Sequence, residues 1–234
     1  MGVFRFKQFS VDDSGCGMKI CSDSVLLGAW FLPSHSHAAS VLDIGAGSGL
    51  LALMAVQVCP EASVTGIEID PKAAAAARAN FAASPFASRL TVTEGDFNTI
   101  TLPLYNDIVI SNPPYFTTGE RSADTARSTA RHQASLSYEA IFSKPDLIKP
   151  DGHIGLVSPA EFEKDIIFHA EMGGLKLRRM LRVCTATTRP ASRLLWDFSR
   201  TDGPVTEEIL KLRNSAGELT EGYRRMVDAF YVKL

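Results

Sequence analysis

Four consecutive residues, Asn112-Pro113-Pro114-Tyr115, put a carboxamide, two rigid carbonyls and an aromatic face at the end of the apolar run Asp107-Ile-Val-Ile-Ser111. The prolines alone could be a strand terminator, since they cannot continue a β-ladder. That reading leaves the asparagine and the aromatic without a purpose, whereas an aromatic amine as target explains both. Such an amine delocalises its lone pair into the ring and stays a poor nucleophile until acceptors draw its hydrogens out of the plane. The side-chain oxygen of Asn112 and the carbonyl of Pro113 can accept those two N–H bonds, with the prolines fixing the carbonyl's direction. Tyr115 offers a face on which the target base stacks, worth about 1–3 kcal/mol, and Phe116 can extend that platform.

A second constellation precedes it. Val41-Leu-Asp-Ile-Gly-Ala-Gly-Ser-Gly-Leu-Leu51 reads as strand, glycine-rich turn and helix in that order, the context a nucleotide-binding loop requires. Gly45, Gly47 and Gly49 let the backbone around Ala46 turn tightly and approach a ligand closely. Leu50 stands where a dinucleotide fingerprint would place its last glycine. Asp43 at the strand end would repel a pyrophosphate but can serve an ammonium directly or through water, so the loop favours S-adenosyl-L-methionine over NAD. About twenty residues on, Glu68 in Val64-Thr-Gly-Ile-Glu-Ile-Asp-Pro71 is placed to accept both ribose hydroxyls, with Ile69 beside it. Asp70 before Pro71 reads instead as a helix N-cap with proline at the first helical position. Asp96 in Glu94-Gly-Asp-Phe97 can accept from an adenine amine, and Phe97 can cover one face of that ring. A Gly-Asp pair alone is only a turn signal; in series with the other two motifs it completes a cofactor pocket. With a sulfonium as methyl donor no covalent enzyme intermediate is needed, and alignment can contribute about 7–11 kcal/mol. A stacked base cannot be aligned, so the target is flipped out or unpaired, and unpaired RNA is the cheaper case.

The elements that must hold these residues alternate. Strand-length runs at Ser40–Ile44, Ser63–Glu68, Leu90–Thr93, Tyr105–Ser111 and Gly152–Val157 are separated by helical segments such as 50–58 and 71–83. Continuous apolar strands alternating with helices imply a mostly parallel sheet covered on both faces. After about 175 the runs Leu177–Cys184, Ser192–Ser199 and Ala229–Leu234 predict an antiparallel edge. One domain over 40–234 with an N-terminal extension or cofactor lid over 1–39 fits the 234 residues, 45% hydrophobic and 21% charged.

Composition excludes other classes. No apolar run reaches the roughly 18–20 residues needed to span a bilayer, and Met1-Gly-Val-Phe-Arg-Phe-Lys7 lacks a signal peptide's apolar stretch, so a cytoplasmic location without membrane contact is expected. Cys16, Cys21, Cys59 and Cys184 form no Cys-x-x-Cys pair and read as reduced thiols. The five histidines are scattered, so no metal is expected, and His35 and His37 read as loop residues in solvent. The net charge of −2 argues against wholesale wrapping by nucleic acid but conceals two basic clusters. Lys176, Arg178, Arg179, Arg182, Arg189 and Arg193 form one; Arg121, Arg127, Arg131 and His132 form the other, directly after the Asn-Pro-Pro-Tyr motif. The first can equally be a solvated face. The second would border the substrate entrance and contact phosphates.

With these residues in view, the chain resembles class I methyltransferases of the amino-methylating Asn-Pro-Pro-Tyr group. More narrowly it is similar to the bacterial tRNA1(Val) adenine-N6 methyltransferase family, over nearly its whole length. Phe4-Arg-Phe-Lys-Gln-Phe9, Met18-Lys-Ile-Cys-Ser-Asp-Ser-Val-Leu-Leu-Gly-Ala-Trp30, Ala130-Arg-His132 and Phe230-Tyr-Val-Lys-Leu234 carry that likeness alongside the motifs above. The resemblance implies a Rossmann-like α/β fold with a seven-stranded, mostly parallel sheet, helices on both faces and an antiparallel last strand. It also implies tRNA as partner, modified at the adenosine 3′ of the anticodon, with no obligate protein partner. The segment before the glycine loop would fold over the cofactor, making Lys19, Ser22 and Asp23 candidate contacts. Cys21 and Ser24 depart from the family pattern, which commonly has glycine there. Val25–Phe31 also reads as a core helix. Other readings are a protein-glutamine methyltransferase, which generally has a helical N-terminal domain before its glycine loop, a guanine-N2 or other RNA amine methyltransferase, and a non-catalytic RNA-binding module. The last would need none of Asp43, Glu68, Asp96 and Asn112.

Charge reversal at Arg127 and Arg131 is expected to weaken RNA binding and to flatten its dependence on salt by about one unit of slope per lost phosphate contact. Filter-binding titrations at several salt concentrations check this, and unchanged binding would return the cluster to the solvated-face reading.

Overall fold

The computed structural model describes residues 2–17, 19–114 and 136–233. In chain order the elements are β1 (Val3–Arg5), β2 (Ser10–Asp12), α1 (Ser22–Phe31), β3 (Ser40–Ile44), α2 (Leu50–Val58), β4 (Ser63–Glu68), α3 (Pro71–Ala83), β5 (Leu90–Glu94) and β6 (Asn106–Ser111). After the undescribed stretch come α4 (Tyr138–Phe142), β7 (Ile148–Pro159), α5 (Glu163–Met172), β8 (Lys176–Cys184), β9 (Ala191–Ser199), β10 (Thr206–Lys211) and α6 (Glu221–Val227). Among the described residues no helix is long and apolar enough to cross a membrane.

Eight strands form one sheet in the order β10-β8-β9-β7-β6-β3-β4-β5, and β1 pairs with β2 in a separate hairpin. β3 lies parallel between β4 and β6, so the chain first winds outward on one side of it and then returns to the other. That reversal opens a crevice beyond the strands' C-terminal ends, where open parallel sheets bind ligands. β9, the seventh strand counted from β3, runs antiparallel to both β7 and β8. The sheet therefore contains the expected seven strands and adds an eighth, β10, parallel to β8. β10 reads Thr-Glu-Glu-Ile-Leu-Lys and buries only Leu210, a charged edge strand with no apolar run to betray it. Conversely, the described residues 229–233 of the stretch Ala229–Leu234 do not form the expected strand: Tyr231 makes an antiparallel bridge to Phe6, and Phe230 anchors the segment in the core.

Strand side chains alternate between two cores. Val41, Val64, Ile108 and Ile110 face the helices α1, α2, α3 and α6, while Leu42, Ile44, Ile67 and Val109 face α4 and α5. In α2, residues Leu50 to Val56 are all buried, because the sheet covers one side and α1 packs on the helix as well. α3 starts as expected, with the Asp70 side chain accepting from Lys72 N at 2.9 Å and proline in the first turn. Arg89 donates to the carbonyls of Val56, Cys59 and Ala62 and so satisfies the C-terminal end of α2.

His35 is not a solvated loop residue. Its Nε2 lies 3.0 Å from Asp197 Oδ2, and His153 Nδ1 lies 2.6 Å from Oδ1 of the same carboxylate. Both contacts form because Asp197 on β9 is 1% exposed, and a buried carboxylate must find donors. Burial alone would raise its pKa, but the hydrogen bonds from His153 and His35 hold the carboxyl below its ordinary value. A depressed carboxylate contributes stability above its unfolded-state pKa and loses it as pH falls through the folded value. Asp197→Ala is therefore expected to lower stability by about 1.5–3 kcal/mol at neutral pH, the scale of lost hydrogen bonds to a charged acceptor. In urea titrations the gap to wild type should shrink below about pH 4; a pH-independent gap would contradict a hydrogen-bonded, ionised carboxylate.

Candidate functional site

The glycine turn begins where β3 ends. Gly45, Gly47 and Gly49 have φ of 72°, 55° and 84°, in the left-handed region that favours glycine. At Gly49 a Cβ would also lie 2.4 Å from the Phe81 ring, so that ring packs against the start of α2 only because the side chain is missing. The turn is clamped to the end of β4: Gly45 N and Ala46 N both donate to the Ile67 carbonyl at 2.9 Å. Glu68 completes the clamp, with Oε2 accepting from Gly47 N at 2.7 Å and Oε1 from Asp70 N at 2.8 Å. From the far side, Asn80 of α3 donates to the Ser48 carbonyl at 2.9 Å while bonding both ways with the backbone of Asp12.

Two adjoining hollows share Gly45. One is lined by Gly45, Ile67, Ile69, Gly95, Asp96, Phe97 and Leu136. Its apolar walls and the acid Asp96 suit a flat heteroaromatic group, and the 49% exposure of Ile69 makes sense as such a wall. Asp96 Oδ1 accepts from Asn98 N and Nδ2, which orients the carboxylate at the rim. The other hollow runs along Gly45, Ala46, Gly47 and Ser48 to Asn112, with Ile20 and Ser24 of the N-terminal segment opposite. At Gly47 a Cβ would meet nothing within 4 Å, so the turn borders open space there.

Asp43 lies fully buried beneath this turn. Its Oδ2 accepts from Ala52 N at 3.0 Å in the first turn of α2, and Oδ1 has no hydrogen-bond partner. Burial pushes its carboxyl up to about 7, opposed by the Ala52 amide and reinforced by the negative charge of Glu68. An orphaned buried acceptor under a glycine turn, beside a flat apolar slot with an acid at its rim, fits a ligand that is cationic at one end and heteroaromatic at the other. S-adenosyl-L-methionine has that character.

Asn112 stands one residue past β6. Ser111 Oγ donates to the Ile44 carbonyl at 2.6 Å, tying the end of β6 to the end of β3. Asn112 is 9% exposed, and its Nδ2 donates to Ser24 Oγ at 2.9 Å and to Cys21 Sγ at 3.4 Å. Pro113 is buried and Pro114 half-buried behind it. Tyr115, Phe116, Arg127, Arg131 and His132 lie outside the described residues.

Thus Gly45, Ala46, Gly47, Glu68, Ile69, Asp96, Phe97 and Asn112 come together around the crevice, with Asp43 and Gly49 beneath and behind it. Two of the three lid residues are directed elsewhere. Lys19 Nζ donates to the Asp13 carbonyl at 2.6 Å, and Asp23 Oδ2 accepts from Arg193 Nε at 2.7 Å. Ser22 is exposed at the start of α1. Ile20, Cys21, Ser24, Asn80 and Leu136 were not anticipated in any binding role. Asn80 carried a usable signal, an amide side chain in an alanine-rich helix where it has no local advantage. The basic run from 176 is mostly paired: Arg182 binds Glu163 with two bonds of 2.8 and 2.6 Å, and Arg179 pairs with Glu208 while covering the Trp30 ring. Arg178 donates to the Thr201 carbonyl.

Comparison with known proteins agrees with this geometry. The family model described as methyltransferase small domain matches residues 19–160. A curated tRNA1(Val) (adenine(37)-N6)-methyltransferase of Shewanella amazonensis is 41% identical over 235 residues, covering 99% of both chains. Proteins of the same name from Vibrio vulnificus and Porphyromonas gingivalis are each 36% identical, covering 99% and 98% of this chain and 96% and 94% of theirs. Among solved structures, a predicted O-methyltransferase of Agrobacterium tumefaciens superimposes with TM-score 0.69 at 20% identity, covering 88% of this chain and 96% of that one. The glycopeptide N-methyltransferase MtfA, solved with S-adenosylmethionine, gives TM-score 0.57 at 12% identity over 76% of this chain and 95% of its own. At these identities the structural matches establish the fold.

The raised carboxyl of Asp43 sets a sign. The native protein binds a proton there that the unfolded chain has released between about pH 4 and the folded value of about 7, so Asp43 opposes folding increasingly as pH rises across that window. Asp43→Asn keeps an acceptor for Ala52 N without the charge. Its melting temperature, without ligand, is expected to exceed that of wild type at pH 8 and to converge with it near pH 4. A variant equally destabilised at both values would contradict the burial of an unpaired acid.

Proposed function

The chain belongs to the methyltransferase small-domain family, and on that footing we propose that it methylates the exocyclic N6 amine of an adenine in tRNA, at the adenosine 3′ of the anticodon of tRNA1(Val). The observation that carries the reading is that Asn112 and the glycine turn are walls of one hollow, so an amine held by one faces a ligand held by the other. The names of the curated relatives supply the base and the RNA. A tRNA partner also fits a cytoplasmic location.

S-adenosyl-L-methionine supplies an activated methyl group on a sulfonium, so the chain's own residues have to bind and align. The glycine turn and Asp43 serve the amino-acid end. Glu68, fixed by two backbone amides, has lone pairs left for the ribose hydroxyls. Asp96 accepts from the adenine amine, while Ile69 and Phe97 face its ring. Lys19 and Asp23, directed elsewhere, shape the lid, and Ser22 stays beside it. On the target side Asn112 Oδ1 and the Pro113 carbonyl accept the two amine hydrogens, which returns the nitrogen's lone pair toward the methyl group. Pro114 fixes the carbonyl, Tyr115 and Phe116 stack the base, and Arg127, Arg131 and His132 meet the RNA backbone.

Asn112→Ala is expected to lower the rate of methyl transfer by about 10²–10³ or more, the scale of losing one preorganised polar contact at a reacting centre. Cofactor affinity should change little. Labelled cofactor offered with total tRNA, total rRNA or a release factor, followed by identification of the methylated product, tests both parts. N6-methyladenosine in tRNA is the expected product; a methylated glutamine or guanine, or normal turnover by the variant, would overturn the reading.

A further inference from the structure

An asparagine amide has two nearly isosteric ends, and only one of them can accept hydrogens from an amine. A half-turn about the last side-chain bond would present N–H groups to the target nitrogen and repel it. Whatever fixes that rotation is therefore part of the reaction's machinery.

We infer that Cys21 and Ser24 are positioning residues that fix the orientation of the Asn112 amide. Ser24 Oγ lies 2.9 Å and Cys21 Sγ 3.4 Å from Asn112 Nδ2. By covalent geometry Oδ1 then points away from α1. The two groups are 3.8 Å apart, a spacing at which the serine hydroxyl can pass its own hydrogen to the sulfur while its lone pairs face the amide. The inference rests on the amine-methylating reading above.

Neither side chain is explained by helix formation alone. Cys21 is the N-cap of α1, a position where an oxygen-bearing side chain normally bonds a backbone amide of the first turn, yet its thiol makes no such bond. Ser24 is the third residue of α1, and its hydroxyl faces across a sequence separation of 88 residues to Asn112. Ser24 also lines the hollow beside the glycine turn, so the residue that orients Asn112 borders the space between the two reactants. A hydroxyl is a firm acceptor and a thiol a weak one, so Ser24 carries more of the orientation.

The test has two readouts. In ¹⁵N-labelled protein the Asn112 side-chain amide, assigned by its disappearance in Asn112→Ala, should exchange its hydrogens slowly in wild type and quickly in Cys21→Ala/Ser24→Ala. This readout does not depend on which substrate is methylated. In methylation assays the double variant should lose about 10- to 100-fold in kcat, with KM for RNA and affinity for cofactor within about twofold of wild type, since a misplaced group costs rate more than binding. Cys21→Ser/Ser24→Thr, which keeps both acceptors, should recover most of the rate. Equal exchange in wild type and double variant would overturn the inference. So would wild-type kcat in the double variant, or a loss that tracks melting temperature and is not rescued. Methylation by wild type of some other amine would overturn the adenine assignment alone, leaving the exchange result to decide this one.

Discussion

Three successive backbone amides, those of Gly45, Ala46 and Gly47, are held by the end of a neighbouring strand, and the site depends on that clamp. The Ile67 carbonyl takes the first two and the Glu68 carboxylate the third. With these amides held, Gly45 and Gly47 turn in the left-handed region, which brings the chain round to start α2 directly above Asp43. The same contacts set Glu68 at the lip of the turn with its plane fixed. A residue that would serve a ribose is thus first a structural acceptor, and its second lone pairs are pre-aimed by the bonds its first ones make.

Much of this could be read along the chain because it is local. The glycine turn, Asp43, Glu68 and Asp96 each end a strand, and the topology of a parallel sheet brings strand ends together without further information. Asp70-Pro71 marked the start of α3 by capping chemistry alone. Other parts were illegible because their causes are distant in sequence. Leu136 walls the heteroaromatic slot, and nothing between Ala134 and Tyr138 signals a partner at Gly45. His35 looked like a loop residue because Asp197, 162 positions away, supplies its purpose. β10 escaped notice because an edge strand facing solvent needs no apolar alternation.

Charge shows the same limit more sharply. The run from Lys176 to Arg193 contains no acid, so as a sequence it looked like a surface for phosphate. Folding brings acids to it from α1, α5 and β10: Asp23, Glu163, and Glu207 with Glu208. For Arg178, Arg179, Arg182 and Arg193 a phosphate would have to compete with an existing partner, and for Arg182 with a bidentate one. The cluster serves first to attach β8 and β9 to their neighbours.

The division of the chain near residue 40 separates motifs but not physical roles. Phe6, Phe9, Val11 and the apolar residues of α1 belong to the same core as α2. The start of α1 reaches three places at once: Ile20 and Ser24 face the glycine turn, Cys21 and Ser24 bond Asn112, and Asp23 binds Arg193 on β9. A shift of this one helix by a single residue would therefore misplace the cover of the cofactor hollow and the amide at its end together. The residues that cover the glycine turn and bond the Asn112 amide are therefore positioned by how Phe6, Phe9 and Trp30 pack in that core.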